Sequence, residues 1–358
     1  MNTFKSIALA GLLGALVLPF LRPVVAAEFV DVLDTPSLHS ELAAKGMLTG
    51  LAKAGDRLVA VGQRGHILYS DDTGQHWRQA DVPVSSDLVA VHFPTPRQGW
   101  AVGHDGVILH SNDAGATWSR QLDGRQIGPL LLAYYQQQLA VQPADEGVAA
   151  RVADAQRISD GGADQSFLDV WFETDQIGYA VGAFNLILRT DDGGRHWTPW
   201  LDRTENPNGL SLYALRPIGE QLFIVGEQGL VLKLDPAAGR FNAMPLPYNG
   251  SFFGITGTPG MALVYGLRGN VYRSIDDGAS WSKVELGLPL TITAGTVTAD
   301  GRIVLLSQAG HVLISADQGA SFTLQPEMSL APTAAALVSS SGVLVIAGAR
   351  GLRQMPLE

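Results

Sequence analysis

Four stretches of the 358-residue chain carry the same spaced set of side chains: Ser70/Asp72/Gly74/Trp77, Ser111/Asp113/Gly115/Trp118, Thr190/Asp192/Gly194/Trp197 and Ser274/Asp276/Gly278/Trp281. A fifth, Ser315/Asp317/Gly319/Phe322, replaces Trp with Phe, and Asp235/Gly239/Phe241 is a remnant of another. Carboxylates at such regular places could bind calcium. They could also supply the two carboxyl groups that flank a sugar bond in a glycosidase. Their recurrence argues against both. A catalytic or metal loop occurs once per site, whereas a set repeated unit after unit belongs to the scaffold. The physical chemistry of a tight turn accounts for each member: Asp and Ser satisfy its backbone, Gly accepts a positive φ, and the aromatic ring packs between units. The pairs Asp71–Asp72, Asp191–Asp192 and Asp276–Asp277 all fall inside these sets. The eight histidines, His104 and His110 among them, show no His-Glu-x-x-His spacing, and no Gly-x-Ser-x-Gly or phosphate-loop motif occurs. No catalytic residue, metal or cofactor is expected.

A second position carries charge. Each unit holds a Val-Gly-x-x-Gly turn or a relative of it, and its second variable site reads Arg64, Asp105, Phe184, Gln228, Arg268, Ala309 and Arg350. Arg353 follows closely on the last. A cluster of guanidinium groups suits a carboxylate or an acidic peptide, held through charge-assisted, forked hydrogen bonds.

The elements that must position these residues follow from the spacing. Aligned on Gly62, Gly103, Gly182, Gly226, Gly266, Ser307 and Gly348, the intervals are 41, 79, 44, 40, 41 and 41 residues. A period of about 40–45 residues marks propeller blades. The expected fold is all-β, a seven-bladed β-propeller spanning 28–358. In the second unit Leu88–Phe93, Gly99–Val102, Val107–Ser111 and Thr117–Gln121 read as four strands, from their alternation and the turn residues between them. First strands recur at Phe167–Phe172, Leu210–Leu215, Ser251–Thr256, Thr291–Val297 and Ala334–Val338. The last unit supplies three strands, and the alternating Phe29–Leu33 is expected to add the fourth, closing the ring without an exposed edge. The long interval holds an insertion, 123–165, between blades two and three. Its pattern predicts a helix from Pro129 and a second over Glu146–Arg157, a hairpin standing on the face of the Arg turns with Tyr134 and Tyr135 available to a partner.

Residues 1–27 read as a secretory signal: Lys5, an apolar run from Ile7 to Phe20, and Val25-Ala26-Ala27 as the cleavage site. The run is short for a spanning helix, so a soluble, periplasmic mature chain is expected, without a membrane span and monomeric by itself. There is no cysteine, hence no disulfide or thiolate metal site. The formal net charge of −10 disfavours nucleic acid, whose binding rests on neutralised phosphates.

Ser-x-Asp-x-Gly-x-x-Trp resembles the Asp-box (BNR) pattern of neuraminidase-type repeats, although the Arg-Ile-Pro motif of sialidases is absent. A glycan-processing or glycan-binding propeller of sialidase type is therefore the alternative reading. With Leu88-Val-Ala-Val-His-Phe, Gly99-Trp-Ala-Val-Gly and the Val-Gly turns added, the chain resembles the photosystem II stability/assembly factor family over essentially its whole length after the signal. The resemblance implies a non-enzymatic seven-bladed propeller that handles a membrane-protein subunit, or an acidic or C-terminal peptide segment, during complex assembly. It implies an Arg patch that maps onto Arg64, Arg268 and Arg350.

Overall fold

The computed structural model describes residues 30–287, 289–325 and 332–357. The signal-like segment 1–27 and Phe29 lie outside the described residues. From Asp31 onward the chain forms one compact unit, in which seven antiparallel sheets follow one another along the sequence. Six sheets have four strands and the last has three among the described residues. Every sheet is built from consecutive strands paired in simple meander order, the arrangement of a propeller blade.

Blade two shows why the sequence folds this way. Its strands are Leu88–His92, Gly99–Gly103, Ile108–Ser111 and Ser119–Leu122. The second strand, Gly-Trp-Ala-Val-Gly, is buried throughout, because blades pack on both of its faces. The first strands, from Leu48–Ala54 in blade one to Thr333–Val338 in blade seven, contact one another around the ring and enclose a central channel. Between blades the core is continuous in side chains. Val59, Val61, Ala101 and Leu109 pack together across blades one and two, and Ala214, Phe223, Ile255 and Val264 do so across blades four and five.

The insertion is a helical hairpin. Helix α1 spans Gly124–Val141 and α2 spans Glu146–Gly161. Helix α1 starts five residues before Pro129. Asp123 makes a full capping box there, accepting from the start of the helix while Gln126 reaches back to the Asp123 amide. That cap outweighs the proline, which sits inside the helix. The sequence pattern places the second helix start correctly, at Glu146, capped by Asp145.

Ring closure differs from the sequence expectation. Asp31–Leu33 is not a strand of blade seven. Asp34 N donates to Asp31 O in a turn, and Leu33 is buried with Val59, Val82, Val84, Leu109 and Trp118, between blades one and two. Arg120 donates to the Leu33 carbonyl, and Arg125 reaches Asp34 at 2.8 Å. The alternation in this segment thus serves to bury one leucine and to tie down the start of α1. Blade seven is completed from Thr333–Val338, Val343–Gly348 and Gly351–Pro356. It meets blade one through Leu337 and Val345 against Leu58, and through Ala347 against Leu48 and Ala60. A single turn at Ala43–Lys45 seals the outside of the joint. An added Cβ on Gly351, whose φ is 81°, would lie 2.1 Å from the Ala44 carbonyl oxygen.

Candidate binding face

The Val-Gly-x-x-Gly turns share one conformation in five blades: a single 3-10 turn whose middle residue is left-handed. Arg64, Asp105, Phe184, Gln228 and Arg268 have φ of 57°, 54°, 53°, 52° and 56°. This backbone is uncommon for residues other than glycine, and it carries each side chain away from the blade. Neighbouring segments hold the turns: Asp87 Oδ1 accepts from the Arg64 amide at 2.7 Å, and Ser37 Oγ donates to the Arg64 carbonyl at 2.9 Å. Blade seven is tighter. Gly348 pairs with Gly351, so Arg350 sits in a two-residue hairpin loop.

Arg64, Arg268 and Arg350 are exposed, and none forms an ion pair among the described residues. Arg57, Arg120, Arg125 and Arg189, by contrast, are each engaged with an aspartate. Lys45 was not apparent from the spacing. It is exposed in the closing turn, and its Cα would lie 2.7 Å from a Cβ on Gly351, next to the Arg350 loop. It stands outside any repeat, so only the fold brings it to the arginines. Arg353 lies elsewhere, on the last strand of blade seven, opposite Ile346.

The insertion meets this face. Gly124 at the start of α1 packs on the blade-two turn at Gly106. Tyr135 is buried, in contact with a core that includes Leu131, Ala155 and Leu186. It belongs to the core, because the apolar side of α1 lies on blade three. Tyr134 is half-buried, its hydroxyl 3.4 Å from Asp202 Oδ2.

The Ser-x-Asp-x-Gly turns consume their own polar groups. In blade two Ser111 Oγ donates to Asp113 Oδ1 at 2.8 Å and accepts from Gly115 N at 2.9 Å. Asp113 also accepts from Thr117 N at 3.0 Å, and the Trp118 indole donates to the Gly115 carbonyl at 3.0 Å. Blade five repeats this through Ser274, Asp276, Gly278, Ser280 and Trp281, and Asp72, Asp192 and Asp317 make the same contacts. Hydrogen bonds from the Ser280 side chain, the Ser280 amide and Ser274 pull the Asp276 carboxyl down to about 2. A carboxylate so held neither carries nor gives up a proton near neutrality.

The aromatic ends of these turns are less uniform than the sequence expectation of a ring packed between units. Trp118 and Trp197 are buried, and each has a phenylalanine of its own blade set edge-on against it, Phe93 at 5.9 Å and Phe172 at 6.0 Å. Trp77, Trp281 and Phe322 are not core residues but half-buried ones. No aromatic ring pairs with Trp77 or Phe322 among the described residues, whereas Trp281 packs at the edge of a cluster that includes Phe223; part of each of the three stays in water. Trp77 leans on Leu58, Leu337 and Val345 at the joint of blades one and seven, and its indole still donates to the Gly74 carbonyl at 2.9 Å. Phe322 lies at the edge of the core shared by blades five and six. Its smaller ring has no N–H to give Gly319, so that turn lacks the closing bond that Trp77, Trp118 and Trp281 make. In blade three the buried Trp197 indole nitrogen has no partner among the described residues.

The channel, about 380 Å³, is lined by small residues such as Gly50, Ala90, Gly254 and Ala335. One blade breaks the pattern with Asp169, whose oxygens accept from Val170 N at 2.9 Å and Leu215 N at 2.7 Å, and from the Arg216 guanidinium. Burial acts against the Arg216 charge, but Asp169 raises its pKa overall. Burial lifts the Tyr265 phenol to about 12. His92 falls to about 3, from burial first and the Arg216 charge second. An aspartate in Phe167-Leu-Asp-Val-Trp-Phe, where the other first strands carry Gly or Ala, was the available signal for this pair. Among the described residues no group of His, Asp and Glu side chains is arranged to hold a metal ion.

Comparison with known proteins gives a consistent picture. The chain is 32% identical over 162 residues to the photosystem II assembly lipoprotein Ycf48 of Synechococcus sp. (strain CC9902), a match that covers 42% of this chain and 46% of that relative. It thus spans about half the length of this curated relative. Among solved structures, YCF48 bound to D1 peptide superposes with a TM-score of 0.65 at 16% identity, covering 90% of this chain and all of the other. YCF48 from Cyanidioschyzon merolae gives a TM-score of 0.62 at 14% identity, covering 90% and 98%. The WD40 propeller domain of Doa1 also gives 0.62, at 10% identity and covering 90% and 94%. At these identities the structures speak for the fold alone. The family model for the photosynthesis system II assembly factor YCF48 matches residues 49–142 and 148–327, and the chain belongs to that family.

Proposed function

We propose that the protein is a non-enzymatic, periplasmic binding propeller that serves as an assembly, stability or accessory factor for a membrane protein complex. Its client is a subunit of that complex, held by an acidic or C-terminal segment. The observation that carries this reading is the set of exposed, unpaired cations on one face, Arg64, Arg268 and Arg350, in a chain of net charge −10. A solved structure similar to this chain is YCF48 bound to D1 peptide. The Asp-box residues serve the scaffold, since each Asp and Ser is committed to its own turn. The signal-like segment 1–27 supports this localisation, and the curated relative is itself called a lipoprotein.

The double variant Arg64→Glu/Arg350→Glu tests the reading. Recovery of membrane-protein subunits in a crosslinking pull-down should be lost while the melting temperature stays within a degree or so, because exposed charges contribute little to stability. Client recovery unchanged in a folded double variant removes the arginine face from the account. Sugar release from a glycoside panel by the wild-type protein would instead favour the glycan-processing alternative.

A further inference from the structure

The helical hairpin does more than cover blade three. Between it, the blade-three turn and the loop entering blade four lies a cavity of about 620 Å³, within the range of small-ligand and side-chain pockets. Leu131, Tyr135 and Ile158 from the hairpin, with Leu201, supply its apolar wall. Three features set it apart from a packing defect.

The first is Phe184. It stands in the turn position that is Arg, Asp or Gln in the other left-handed turns, it is 75% exposed, and its φ is 53°. A bulky aromatic in water, on a left-handed backbone, works against folding twice, and such strain concentrates at binding sites. The second is charge. Arg151 and Arg240 line the cavity, both are exposed, and neither has an ion-pair or hydrogen-bond partner for its guanidinium among the described residues. The acids beside them are already engaged: Asp154 with Arg157, and Glu205 with the Ala243 amide. The third is Asp202. One of its oxygens accepts from Gln138 Nε2 at 3.1 Å, and the other, Oδ1, is buried without a partner. A buried acceptor left this way costs the fold free energy, and such costs gather at binding sites.

The geometry points to a peptide-anchor site in this cavity, one that takes a large apolar side chain, aromatic or leucine, flanked by carboxylates. The side chain lies on Leu131, Ile158 and Phe184, and the carboxylates meet Arg151 and Arg240. An apolar side chain sunk in a pocket beside aromatic and arginine groups is the kind of anchor that dominates protein interfaces. The site rests on the reading of this chain as a binding propeller and states which sequence chemistry its client must offer. Because Phe184 occupies a Val-Gly turn, the cavity opens beside the face that carries Arg64 and Arg268.

The test is fluorescence polarisation with a labelled peptide bearing one Phe between Asp and Glu residues. Two control peptides replace the Phe with Ala or the acids with Lys. The wild-type protein should bind the first peptide and both controls about tenfold or more weakly. Phe184→Gly and Arg240→Glu should each weaken binding of the first peptide by about tenfold. The melting temperature should stay level in both, or rise in Phe184→Gly, where glycine relieves the backbone. Unchanged affinity in both variants overturns the proposal. If the peptide is then lost in Arg64→Glu/Arg350→Glu, the arginine face stands without the cavity. If the cavity variants lose the peptide and that double variant keeps it, the cavity stands and the arginine face falls.

Discussion

Each repeated aspartate in this protein is a turn-maker, and the neighbouring aromatic ring stabilises in proportion to how fully it is covered. Trp118 is 7% exposed, stacks edge-on to Phe93, and joins the core between blades one and two. Trp118→Ala should destabilise by roughly 3–5 kcal/mol in chemical denaturation, the cost of emptying an aromatic site. The half-buried Trp77 and Phe322 should each cost less on the same change, since less of the ring leaves a packed site. His92 yields a prediction of a different kind. Its ring nitrogen Nδ1 accepts from Phe172 N at 3.1 Å, and burial with the Arg216 charge lowers its pKa to about 3. The folded protein therefore refuses a proton that the unfolded chain binds below about 6.5. Stability should fall as pH drops from there toward 3, with a slope of about 1.4 kcal/mol per pH unit for this one proton. In His92→Asn, which keeps an acceptor and removes the titration, that part of the slope should vanish from denaturation curves taken between about pH 6.5 and 4.

The N-terminal segment shows how an element can be misread. If Leu33 anchors the segment between blades one and two, Leu33→Ala should cost roughly 2–5 kcal/mol. A solvent-facing position in a marginal outer strand would cost far less, so thermal denaturation of this single variant separates the two. The blades themselves were legible because their signal is redundant: a period near 41 residues, alternation within each strand, and turn residues at fixed offsets all agree. Predicted and observed strands coincide at Phe167–Phe172 and differ by one residue at Leu88–His92. Redundancy is what the remainder lacked. Five alternating residues at 29–33 carry no offset to a partner strand, and an apolar helix side does not say what it will cover. Tyr135 accordingly appeared available when it is core. The repeat likewise fixes where Trp77 and Phe322 stand without saying whether a second ring will cover them. The channel pair Asp169–Arg216 and the cation Lys45 are single occurrences, and nothing repeats to single them out.

At the scale of the whole molecule, charge is distributed against the average. The chain is acidic overall, yet Arg64, Arg268 and Arg350 on turns of one face, and Arg151 and Arg240 at the insertion cavity, stand exposed without an ion pair among the described residues. Binding of an acidic peptide should therefore weaken as salt rises from about 0.05 M to 0.5 M, since exposed charges are screened over a Debye length that shortens to a few ångströms. An affinity independent of salt, measured by titration calorimetry, would count against both charged sites. The same scale brings out what the ring joint means for time. Among the described residues each blade uses one unbroken run of chain, and blade seven is held to blade one by side-chain contacts, the closing turn and the bond from Gln354 Nε2 to Thr73 O. Seen through amide exchange, that joint is the natural first opening of the ring. Amides of Leu352–Met355 should trade deuterium well before those of Ala101 or Val225, and the ring should open there like a clasp while the other six blades stay shut.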